Sequence, residues 1–221
     1  MVEKVRITSG IPGLDKHMEG GFIKDSVNLI SGATGTGKTI LGLQYIWHGL
    51  KKGENGVYIS LEQEPEDVFA DAELFGWDFK KYINQKKCTI EYLSTWNLEE
   101  LPVIVLEKIR EIKAERFVLD TITLVCSELE TDRMRSEISE FINKLKHSGA
   151  TSLLICEIPE GSKALSTFGV EEYIVDGILL LHYLEFGSDS PRSLQVRKMR
   201  RTKHGSDIYP FTITKKGIEL K

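Results

Sequence analysis

Residues 32–39, Gly-Ala-Thr-Gly-Thr-Gly-Lys-Thr, fit the pattern G-x-x-x-x-G-K-[ST]. Val27–Ser31 just before them reads as a short buried strand. Ile40, Leu41, Leu43, Tyr45, Ile46, Trp47 and Leu50 just after them are apolar at spacings a helix can use. A glycine-rich loop passing from strand to helix is the context a phosphate-cradling loop requires, and it commits the chain to an α/β fold.

Each residue type in the loop has a physical reason. Glycines permit positive φ and let backbone N–H groups turn toward anionic oxygens with no Cβ in the way. The helix that follows adds free N–H groups and the positive end of its dipole. Gly32, Ala33, Thr34, Gly35, Thr36, Gly37, Lys38, Thr39 and Ile40 are therefore the candidate nucleotide contacts. Lys38 would bring a mobile cation to the β- and γ-phosphates of ATP or ADP, and the Thr39 hydroxyl would be a ligand of Mg²⁺.

Along the chain, Leu14–Met18 predicts a short helix ended by Gly20-Gly21. Val57–Leu61 reads as a second strand, Pro65 as a first helical position and Asp78 as a helix cap. Residues 88–93 alternate like a strand, Pro102 opens a helix, and Arg116–Asp120 is an apolar run ending in an acid. One long helix is expected next, with Met134, Ile138, Phe141, Ile142 and Leu145 on its inner stripe and Gly149 as its stop. Thr151–Cys156 is a further buried strand. Alternating strands and helices predict a mainly parallel twisted sheet flanked by helices. Beyond residue 177 only strands remain (178–184, 194–201, 208–213), which reads as a C-terminal antiparallel extension.

A length of 221 residues suits a single domain, 1–221. The 3 cysteines lack C-x-x-C spacing and read as reduced, near-core residues. With 29 Lys+Arg against 33 Asp+Glu the net charge is −4, which disfavours a general nucleic-acid binder. No apolar run approaches membrane length and the N-terminus has no apolar leader, so a cytoplasmic protein without a membrane partner is expected.

Ligands of open α/β sheets bind beyond the carboxyl ends of the strands. Asp120 ends one such strand, the place of an acid that holds Mg²⁺. Glu62 ends the strand after the loop's helix, within reach of an attacking water as general base. Gln63 beside it could position water without accepting a proton, and Glu157 could sense the γ-phosphate. The basic run 197–204 has Lys198 and Arg200 on one side if the strand alternation continues, and Arg197 and Arg201 on the other.

Several stretches in order resemble the KaiC family of RecA-superfamily ATPases. They are Gly10-Ile11-Pro12-Gly13-Leu14-Asp15, the phosphate loop, Leu61-Glu62, Phe75-Gly76-Trp77-Asp78, Glu171-Glu172-Tyr173 with Asp176-Gly177, Lys198-Met199-Arg200-x-Thr202-x-His204, and Tyr209-Pro210-Phe211. The resemblance implies a RecA-like P-loop core, a homohexameric ring with ATP at each subunit interface, and an unidentified protein partner. It assigns Glu62 to the base and Asp120 to the Walker B acid. Lys198 and Arg200 would reach a neighbour's γ-phosphate, with Met199, Thr202 and His204 lining the nucleotide from that side.

The chain also departs from that pattern. Gln63 stands where the family often has a second acid, and Arg201 where it usually has glycine. Glu172 and Tyr173 stand where the clock protein of this family carries its phosphoacceptor Ser-Thr pair. Autophosphorylation there is therefore not expected. The expected activity is slow, Mg²⁺-dependent ATP hydrolysis that switches a partner interaction. Two alternatives are a nucleotide-gated binding module with little hydrolysis and a RecA/RadA-like DNA-handling accessory. The acidic segment 124–132 and the short 160–167 argue against the last.

Overall fold

The computed structural model of the chain describes residues 5–97, 99–183 and 192–221. In chain order the elements are β1 (Arg6–Ile7), β2 (Phe22–Ile23), β3 (Val27–Gly32), α1 (Lys38–Lys52), β4 (Gly56–Ser60), α2 (Pro65–Glu73) and α3 (Phe79–Asn84). There follow β5 (Cys88–Tyr92), α4 (Leu101–Glu111), β6 (Arg116–Asp120), α5 (Ile122–Ser127), α6 (Thr131–Lys146) and β7 (Thr151–Glu157). The C-terminal part holds α7 (Glu171–Ile174), β8 (Gly177–Tyr183), β9 (Arg192–Met199), β10 (Ile208–Thr214) and β11 (Gly217–Leu220).

Nine strands form one sheet in the order β11-β10-β9-β8-β3-β7-β6-β4-β5. From β8 to β5 every pairing is parallel, and from β8 to β11 every pairing is antiparallel. Helices on both faces explain why the central strands read as unbroken apolar runs, since neither side of them meets water. All residues of β3 and of β6 are buried. One core lies beneath α1, α2 and α3, and the other packs Val105 and Ile109 of α4 with the α6 stripe Met134, Ile138, Phe141, Ile142 and Leu145. Burying one such side chain contributes about 1.5–3 kcal/mol.

The structure departs from the expected elements in several places. The long helix expected after Asp120 is α6, with its stripe Met134, Ile138, Phe141, Ile142 and Leu145 buried. A short helix not expected from the sequence, α5, precedes it, and residues 128–130 separate the two. Thr121 caps α5 by accepting from the Thr123 N–H, and Glu130 in an extended conformation starts the chain afresh into α6. β8 is not part of the antiparallel extension: it pairs in parallel with β3, because α7 delivers it from the same end as the other central strands. The extension begins at β9 and gains β11, a four-residue strand not expected from the sequence. Residue 184, expected to close β8, lies outside the described residues. The short N-terminal helix is a 3-10 turn over Asp15–Met18, and Glu19 itself takes the left-handed position ahead of the two glycines. Pro65 and Asp78 sit where expected, the latter accepting from the Lys81 N–H.

Arg116, at the start of β6, is fully buried. Its Nε donates to Glu54 at 2.5 Å, and its Nη1 donates to the carbonyls of Thr8 (2.9 Å) and Tyr45 (3.0 Å). This cation ties the N-terminal loop and α1 to the sheet. Glu54→Ala would leave the charge buried without its counterion, so a loss of about 3 kcal/mol is expected in urea unfolding. A midpoint unchanged from wild type would mean the two carbonyls suffice.

Candidate active site

β3 feeds the phosphate loop, α1 leads away from it, and the chain returns in β4 on the far side of β7 and β6. The sheet order therefore reverses beside β3, and the crevice at its carboxyl end is open to a ligand. Gly37 precedes α1 with φ 99°, a conformation that side-chain-bearing residues rarely adopt. At Gly32 a Cβ would stand 2.8 Å from the Leu181 carbonyl oxygen, so β8 could not approach β3 as closely with any other residue there. Thr36 and Lys38 both donate to the Ala33 carbonyl, at 2.8 and 3.0 Å, which draws the loop into a closed turn. The first turn of α1 holds no acidic residue, and its leading N–H groups, those of Lys38, Thr39 and Ile40 among them, have no partner one turn back. The cradle suits an anion.

Two neighbouring strands bring the acids to the same crevice. The Thr39 hydroxyl donates to Asp120 Oδ2 at 2.8 Å, and the Tyr58 hydroxyl donates to the same oxygen at 2.6 Å. Burial raises the Asp120 carboxyl above its ordinary value, and the hydrogen bonds from Tyr58 and Thr39 oppose that shift. One hydroxyl and one carboxylate facing a phosphate cradle are the hard oxygen donors that a hydrated magnesium ion takes up. Glu62 follows β4, where the Ser60 hydroxyl accepts from the backbone N–H of Glu62 (3.2 Å) and of Gln63 (2.8 Å). The Leu61 N–H donates to the Asp120 carbonyl at 2.6 Å, so the turn carrying Glu62 is pinned to the end of β6. Burial, then the charges of Asp120 and Glu157, raise the Glu62 carboxyl, while Lys38 pulls it down. Glu157 pairs across the sheet with Gly32 at the base of the loop.

Lys198 and Arg200 lie elsewhere. Met199 pairs with Gly177 and Gly32 pairs with Leu181, so the cations and the phosphate loop sit four residues apart along β8, about 13 Å. The Lys198 ammonium donates to the carbonyls of Glu172 (2.7 Å) and Val175 (2.8 Å). Arg200 donates to the Tyr173 carbonyl at 2.9 Å and stands 3.6 Å from Asp176, which also binds Lys146 at 3.1 Å. Both cations thus converge on the α7–β8 junction. The alternation expected through Arg201 does not hold, however. β9 ends at Met199, a bulge interrupts its register opposite Ile178 and Leu179, and Arg201 turns with φ 58°. Met199 is packed in the core, Thr202 accepts from Arg6 at 3.2 Å, and the half-buried His204 is paired through Nδ1 with the Gly205 carbonyl.

Three contributors went unnoticed in the sequence. Tyr58 and Ser60 share a face of β4 by period-two alternation, and Ser60 pairs with Asp120 across the sheet, but alternation alone does not say which strand lies beside β4. Arg192, at the other end of β9 from the cations, donates to the Gly35 carbonyl at the tip of the loop at 3.0 Å and lies over the Tyr183 ring. No short-range pattern pointed to it.

The chain is similar over nearly its whole length to known proteins. The family described as "ATPase: KaiC" has a model that matches residues 7–221. A UPF0273 protein of Pyrococcus horikoshii is 36% identical over 96% of this chain and 92% of its own length. The circadian clock oscillator protein KaiC of Synechococcus elongatus is 31% identical over 95% of this chain, which spans 43% of that protein. The crystal structure of a KaiC-like protein from Pyrococcus horikoshii superposes with a TM-score of 0.90 at 35% identity, covering 99% of this chain and all of that one.

Proposed function

This chain belongs to the KaiC ATPase family, and from that premise we propose that it is a Mg²⁺-dependent ATPase working as a ring of identical subunits. Each subunit, one domain over residues 1–221, would bind ATP in the loop 32–39, with Ile40 in the first turn of α1. Lys38 would hold the β- and γ-phosphates, and Thr39 with Asp120 would hold a magnesium ion, whose charge would offset that of the phosphates. Glu62 takes the proton from the attacking water. Lys198 and Arg200 of an adjacent copy would neutralise charge on the γ-phosphate, and Thr202, His204 and the backbone at Met199 would border the nucleotide from that copy.

The observation that carries this reading is the separation along β8. Two cations held ready at one end of the strand have no route to the chain's own phosphate loop at the other end, but a head-to-tail neighbour brings them together. The repeat closes naturally as a ring, with six copies the expected number. Hydrolysis is slow and serves to alter a protein partner's binding, in the cytoplasm, with nucleic acid a disfavoured partner. Among the described residues no helix is long and apolar enough to cross a membrane.

Specific ATPase activity is expected to fall steeply as the protein is diluted, in step with the loss of oligomer in analytical ultracentrifugation. Undiminished activity from lone protomers would overturn the shared site. Gln63 favours a second reading, in which the ring holds ATP and barely turns it over. Phosphate release no faster than buffer, with tight ATP binding, would select it.

A further inference from the structure

Tyr58 is fully buried in the middle of β4, yet its hydroxyl ends on a carboxylate at the edge of the crevice. A phenylalanine would fill the same space without bringing a polar atom into the core, so the hydroxyl needs a reason. It donates to Asp120 Oδ2 at 2.6 Å, the oxygen that also accepts from Thr39 at 2.8 Å. Among the described residues no other hydrogen bond reaches this carboxylate, so both donors occupy one oxygen and Oδ1 is left over. A carboxylate held by two hydroxyls from different elements, β4 below and α1 beside, has lost its freedom to rotate.

We infer that Tyr58 is a positioning residue for the metal site: it fixes the Asp120 carboxylate so that Oδ1 faces the water shell of a magnesium ion while Oδ2 stays turned to the protein. Tyr58 touches neither nucleotide nor ion. It acts on the rotation of Asp120 alone, in the way outer hydrogen bonds orient a ligating side chain. The Thr39 hydroxyl can donate its proton to Oδ2 while its oxygen serves the ion, but a single hydrogen bond leaves the carboxylate free to swing about it, and Tyr58 supplies the second anchor. Tyr58 is held in the sheet by β4, apart from the phosphate loop. The inference rests on the metal role proposed for Thr39 and Asp120.

Tyr58→Phe tests it, since the ring and its packing remain. The readout is ADP affinity by titration calorimetry, with and without Mg²⁺, alongside direct Mn²⁺ binding to the ADP complex by electron paramagnetic resonance. Metal-free ADP affinity is expected to match wild type, while Mn²⁺ affinity of the complex falls roughly tenfold. Equal Mn²⁺ affinity in the two proteins would overturn the positioning role. An equal loss of ADP affinity with and without metal would also overturn it, showing a packing role only. Should the variant melt well below wild type, Asp120→Asn in the wild-type background supplies the comparison. Its Mn²⁺ loss sets the full contribution of the carboxylate, and a Tyr58→Phe, Asp120→Asn double variant no weaker than Asp120→Asn alone is expected. Additive losses would sink the inference. Failure of wild-type protein to gain ADP affinity from metal would instead overturn the metal site itself.

Discussion

Arg200→Ala is expected to lower ATP turnover by about 10³-fold or more, the effect of removing a cation supplied across an interface, while ATP still binds. Its guanidinium lies at the α7–β8 junction, bonded to the Tyr173 carbonyl and near Asp176, far from the chain's own phosphate loop. The decisive measurement is a mixture. Lys38→Ala subunits, unable to bind nucleotide, keep an intact Arg200, and Arg200→Ala subunits keep an intact loop. Neither hydrolyses ATP alone, yet mixed rings should recover a substantial part of wild-type activity. A mixture as inactive as its parts would mean that Arg200 serves its own subunit or none. Asp176, tied also to Lys146 at 3.1 Å, keeps the arginine on this platform in the single chain, so Arg200 is presented already oriented.

Glu62→Gln should bind ATP with wild-type affinity and lose turnover by about 10²–10⁴-fold, the usual contribution of a positioned base. The pH profile makes the assignment specific. Burial, Asp120 and Glu157 raise the Glu62 carboxyl, with Lys38 opposing them. The base works ionised, so turnover falls as pH drops through a midpoint lying above the ordinary glutamate value. No such limb should remain in the residual activity of Glu62→Gln. The shift follows from position: Glu62 stands just past the end of β4, open to solvent on one side and facing a crevice that already holds two other carboxylates. Turnover in Glu62→Gln equal to wild type would remove this residue from the chemistry.

Local pattern carried much of this protein. The loop 32–39 was legible because its residues serve one another over short range, as the bonds of Thr36 and Lys38 to the Ala33 carbonyl show. Asp120 and Glu62 were legible as strand ends, because in a parallel sheet every strand delivers its last residue to the same edge. The short α5 was not legible, since six residues are too few for a helical stripe to declare itself. β8 looked like its antiparallel followers because a strand's own residues do not say which neighbour it takes.

What the amino-acid order determined by itself was the class of fold, the phosphate loop and the two acids beside it, each encoded within a few residues. The tertiary structure alone decided that Tyr58 reaches Asp120 and that Arg192 meets Gly35 from 157 residues away. It also decided that Lys198 and Arg200 stand at the end of β8 remote from the loop. Those facts depend on strand register and order, which arise from packing between segments distant in sequence.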